Sequence, residues 1–130
     1  MAIEIVGLDR EQSRRSALGG DMYDFYVVLT EAPDSDWLAG FREHRRYPRH
    51  TKWRTVEVEG SYILIQCTEG ELQFQIDDLA EDIAAGNAAA VAAVARNKEA
   101  LSRSEMQDEA ERSAIDRAAN SLRIPKPGRG

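Results

Sequence analysis

Apolar and polar positions change rhythm along this chain, and the rhythm predicts its elements. Ile3-Glu4-Ile5-Val6 opens as a short alternating strand that closes at Gly7. The strongest strand pattern is Asp24 to Leu29, DFYVVL. Alternation places Phe25, Val27 and Leu29 on the core side and Tyr26 and Val28 on the other. Residues 9–22 read as a loop between these strands, with Gly19-Gly20 as a turn. Trp53 to Val58 and Tyr62 to Cys67 form two further strands. The short gap between them, Glu59-Gly60-Ser61, predicts a hairpin.

Two stretches have helical spacing. Pro33 with Asp34 or Ser35 makes a helix entrance, after which Trp37, Leu38 and Phe41 form one apolar stripe against the sheet. Pro48 stops any continuation. Residues 69–84 carry two patterns, a strand alternation (Leu72, Phe74, Ile76) and a helix stripe (Leu72, Ile76, Leu79, Ile83). The stripe is longer and runs on in phase through Ala90, Val94 and Leu101, and Thr68 with Glu71 offers a capping box ahead of it. A helix is therefore expected, with a break or kink at Gly86-Asn87. Ser102 with Glu105, or Ser104 with Gln107, restarts it through Leu122.

These elements assemble as an α+β fold in the order β-β-α-β-β-α. We expect a four-stranded, mostly antiparallel sheet with helices on one face and a C-terminal helical extension. The expected divisions are a core domain over residues 1–101, an extension over 102–122 and a flexible tail over 123–130.

Composition narrows the function. Leu, Ile, Val and Phe supply 27 of 130 residues, enough for one modest core. The longest apolar run, Ala88 to Ala95, is far short of a membrane span, so no membrane partner is expected. The first residues lack the basic start and apolar stretch of a secretory signal. Cys67 is a lone cysteine in a strand pattern, which points to an inert buried thiol and a cytoplasmic protein.

Charge is unevenly placed. Phe41 to Arg54 holds six cations (Arg42, Arg45, Arg46, Arg49, Lys52, Arg54) and one acid, so it carries +5, against −11 for the rest of a chain whose total is −6. With Trp53 beside them, these residues form a candidate anion-binding segment for nucleic acid or another phosphate ligand. The competing reading pairs the same arginines with Asp77, Asp78, Glu81 and Asp82, on the acidic helix of the same chain or of a second copy, and it is the more economical one. His44 and His50, six residues apart without a further Cys or His nearby, do not have ligand spacing. Neither metal nor cofactor is expected.

The alanine-rich stretch from Ala84 to Ala95 buries little area per residue and calls for a second helix against it. Residues 104–122 folding back would supply one, and so would another chain. We expect a non-enzymatic interaction or oligomerisation module, a homodimer or a complex with a protein partner. Its contact face is Ala90, Val94, Leu101, Met106 and Ile115, and nucleic-acid binding through residues 42–54 is the alternative.

Overall fold

The computed structural model describes residues 2–125, and the fold is α+β. Its sheet is antiparallel throughout, with strands β1 (Ile5–Leu8), β3 (Met22–Leu29), β5 (Tyr62–Thr68) and β4 (Val56–Glu59) side by side in that order. A fifth strand, β2 (Arg14–Arg15), pairs with β3. The expected four strands are thus joined by a short extra one inside the segment read as a loop. Arg14-Arg15 has no apolar alternation to announce it. The strand is held by bonds that sequence does not display, from Tyr26 N to Ser13 Oγ at 3.0 Å and from Ser16 N to Met22 O at 2.9 Å. Helix α1 (Ser35–His44) lies between β3 and β4, and helix α2 (Leu72–Ser121) follows a 3-10 turn at Glu69–Glu71.

The chain divides into two compact units, Met1–Ala93 and Val94–Gly130. In the first, the inner face of the sheet carries Val27, Leu29, Ile63, Ile65 and Cys67, all buried, as the strand alternation requires. Pairing of Phe25 with Ile65 and of Val27 with Ile63 sets these rows side by side. Gly60-Ser61 turns the β4–β5 hairpin, with Gly60 at φ +56°.

Helix α1 starts where its chemistry dictates. Asp34 accepts a hydrogen bond from Trp37 N at 2.8 Å and so satisfies one of the free amides of the first turn. Trp37 and Phe41, four residues apart, stack at 5.0 Å and are buried together. Against them α2 presents Leu79, Ile83 and Gly86. The missing side chain at Gly86 is a packing requirement, since a Cβ there would stand 2.5 Å from the Trp37 ring. Gly40 is constrained in the same way, because its Cβ would collide with Ala89 of α2. The two helices cross closely because both contribute glycine at the contact.

Gly86-Asn87 neither breaks nor restarts the helix. Asn87 Oδ1 accepts from Trp37 Nε1 at 2.9 Å and from Ile3 N at 2.8 Å, and its amide donates to Ile3 O at 3.0 Å. One side chain thus ties the N-terminal segment and α1 to α2. The expected capping box is also replaced. The Thr68 hydroxyl donates to the Glu71 carboxylate at 3.0 Å and makes no bond to a helix amide.

In the second unit α2 continues to Ser121 without the predicted restart, and no residue from Val94 to Pro125 is buried. Residues 122–125 have no regular structure. The rest of the expected tail, 126–130, lies outside the described residues. Among the described residues, no helix is long and apolar enough to cross a membrane.

Two substitutions test the crossing. Gly86→Ala forces a methyl into the Trp37 ring and is expected to cost about 1–3 kcal/mol by overpacking. Asn87→Ala leaves three polar groups unpaired and is expected to cost about 1–3 kcal/mol. Denaturant unfolding of the full chain measures both, and neutral effects would show that the helices are not held this way.

Candidate functional site

The basic segment connects α1 to β4 and lies against the first turns of α2. Its centre is Asp82, whose side chain is completely buried. Oδ1 accepts from Arg49 Nη1 at 2.9 Å and lies 2.6 Å from His44 Nδ1, while Oδ2 accepts from Arg45. With the His44 Nδ1 proton directed at Asp82, Arg49 is left to bond the carboxylate and the His44 carbonyl, at 3.1 Å. Burial alone raises a carboxyl's pKa. Here the bonds from Arg49, His44 and Arg45 outweigh it and hold Asp82 below the usual carboxylate range.

The same cations organise the loop around them. Arg45 donates to Arg54 O at 2.7 Å, fixing the entry to β4. Arg45 and Arg49 also lie over the Trp53 ring, at 4.1 and 4.6 Å from its centroid. Arg54 forms a two-pronged bond to Glu71, at 3.1 and 3.0 Å, which holds that carboxyl below its ordinary pKa. His50 Nε2 contacts Asp78 at 2.5 Å, and its Nδ1 accepts from Lys52 N at 3.2 Å. Both ring nitrogens are occupied. Gln75, also buried, donates to Lys52 O at 2.8 Å.

Among the seven candidate anion-binding residues, Arg45, Arg49 and Arg54 are therefore engaged with Asp82, Asp78, Glu81 and Glu71, and Trp53 is covered by two of those arginines. Arg46 makes a long, exposed contact with Glu43 at 3.6 Å. Lys52 lies over Phe74, 6.0 Å from the ring centroid. Arg42 lines an open cleft of about 370 Å³ between the end of α1 and β4, where Val56, Val58 and two glutamates form the opposite wall. Asp77, grouped on sequence with the acids facing the arginines, instead accepts from Gln73 at 3.0 Å. Sequence spacing did not reveal the Arg54–Glu71 fork, the burial of Gln75 or the Asn87 bridge.

Other reactive groups are quiet. Cys67 sits buried on the inner sheet face, and burial pushes its thiol up to about 11, so it keeps its proton at neutral pH. Among the described residues, no group of three His, Cys, Asp or Glu side chains is arranged to hold a metal ion.

The candidate contact face divides between the two units. Ala90 is half-buried against the chain's own core. Val94, Leu101 and Ile115 are exposed, and their spacings of seven and fourteen residues keep them on one side of the helix. Met106 is exposed but lies five residues past Leu101, away from that side. Comparison with protein-family models, with curated proteins and with solved structures finds no match for this chain.

Removing the charge at the centre should be costly. Asp82→Asn leaves Arg45 buried without its counter-charge and is expected to destabilise the fold by about 3–5 kcal/mol at pH 7. Acid acts on the same contacts. Asp82 and Glu71 have lowered native pKa values, so their contribution is complete above the ordinary carboxylate range near 4. It is lost as pH falls through the lowered native values. Melting temperature should be flat above about pH 5 and fall below about pH 4, less steeply in Asp82→Asn. A variant with wild-type stability and an unchanged acid profile would contradict this assignment.

Proposed function

We propose that this chain is a non-enzymatic protein-interaction module whose docking element is the C-terminal part of α2, residues 94–121, and that its partner is a helix. The observation that carries the reading is a helix of this length with no buried residue and three large apolar side chains on one side. Val94, Leu101 and Ile115 are 69%, 62% and 61% exposed. An isolated helix gains stability from packing more than from propensity, and this segment packs nothing of its own. Seven-residue spacing is the geometry by which one helix seats against another.

The alternative, phosphate binding through residues 42–54, is disfavoured by the ion pairs that occupy Arg45, Arg49 and Arg54. A catalytic role finds no support in a protonated, buried Cys67 or in a His50 with both nitrogens engaged. The lone buried thiol suits a reducing compartment such as the cytoplasm.

Amide exchange on the full chain tests the reading. Without a partner, residues 94–121 should exchange at least about tenfold faster than residues 75–93, because nothing but the helix's own bonds protects them. Exchange as slow as that of Leu79 in a proven monomer would show a helix held without any docked surface, and the proposal would fall.

A further inference from the structure

Which helix fits this face is written in its charges, and the inference here rests on the docking role just proposed. Between the apolar contacts Leu101 and Ile115 lie Glu105, Asp108, Glu109 and Glu111; Arg103 and Arg112 flank them, and residues 104–111 hold no Lys or Arg. All four acids are exposed, and none has a cation within salt-bridge distance among the described residues. Asp108 stands at the position that would continue the row Val94, Leu101, Ile115. It is a charged member of an otherwise apolar series.

A second copy of the chain meets this pattern badly. Parallel pairing in register sets each acidic stretch against its own duplicate. Antiparallel pairing centred on Asp108 does the same, because the apolar positions lie symmetrically about it, seven residues away on either side. Like charges facing across helices are destabilising. Sliding the copies by seven residues separates the acids but places Leu101 against Asp108, exchanging an apolar contact for a buried unpaired carboxylate. Each of these three self-pairings therefore loses either charge balance or an apolar contact.

We infer that the partner is a different chain, a helix with apolar residues at seven-residue spacing on either side of a basic central turn. Such a helix keeps both apolar contacts and neutralises the four carboxylates. Arg or Lys opposite Asp108 also fixes the register, the role for which a polar residue in an apolar seam is best known.

The test uses the full chain and two synthetic peptides covering residues 91–125, one of wild-type sequence and one carrying E105K, D108K, E109K and E111K. Titration at pH 7 should show the charge-reversed peptide binding at least about tenfold tighter than the wild-type peptide. Its affinity should fall by about tenfold between 50 and 500 mM salt, as expected for exposed charge pairs. A chain carrying L101E and I115E should lose the binding, and a scrambled peptide of the same charge should not bind, which separates docking from bulk attraction. Light scattering should find the chain alone monomeric. Equal or tighter binding of the wild-type peptide, or self-association abolished by L101E and I115E, would make a second copy the partner and overturn this inference while leaving the docking role intact. Binding of neither peptide would overturn it too. Slow exchange through residues 94–121 in the unbound chain would remove the docking role beneath it.

Discussion

A carboxylate with no exposure to water governs the first unit of this protein. Asp82 has left solvent entirely, and such a charge is tolerable only when opposite charge and hydrogen bonds surround it. Arg45, Arg49 and His44 do so, and the positions they must take to reach Asp82 shape residues 44–54. Their arrangement also provides the seat for Trp53 and a bond to the Arg54 carbonyl where β4 is about to begin. The most basic stretch of an acidic chain is thus used largely to brace it. Buried ion pairs are weak evidence of net stability, but losing one partner is costly, and that asymmetry fixes the geometry here.

The apolar core works with this brace. Trp37 and Phe41 on α1 meet Gly86 and Ile83 on α2 over the inner face of the sheet, where Ile63, Ile65 and Val27 are fully buried. Glycine at positions 40 and 86 permits the approach, and Asn87 closes it by satisfying the Trp37 indole and the Ile3 backbone together. The polar bonds and the apolar contact hold the same pair of helices. Each makes the other's position more definite.

Much of this was legible in the sequence, for reasons that vary by element. Alternation identified the strand centred on Val27 and the β4–β5 hairpin, because a half-buried sheet imposes a period of two. Asp34 and the Trp37–Phe41 stripe announced α1. The face of α2 was only partly readable. Leu79 and Ile83 were placed inward, but Gln75 belongs to the same buried face without an apolar signal, and the full burial of Asp82 follows only once the arginines surround it. β2 was hidden because two arginines carry no apolar signal, and Gly86-Asn87 suggested a break because its purpose is a contact with distant residues. For the candidate sites, the acidic partners of the basic segment could be named in advance. The Arg54–Glu71 fork and the separation of Ala90 from Leu101 and Ile115 depend on burial that spacing does not report.

The basic segment is turned inward, with Arg45, Arg49 and Arg54 committed to acids of the same chain, while every described residue from Val94 onward is exposed. The inward turn of the basic segment depends on the Asp82 brace. A double-mutant cycle on Asp82→Ala and Arg45→Ala, read by denaturant unfolding of the full chain, measures it most directly. The expected coupling between the two positions is about 1.5–3 kcal/mol. Additive effects, with a coupling indistinguishable from zero, would mean that Asp82 does not hold Arg45 in solution, and the inward role assigned to the basic segment would be contradicted.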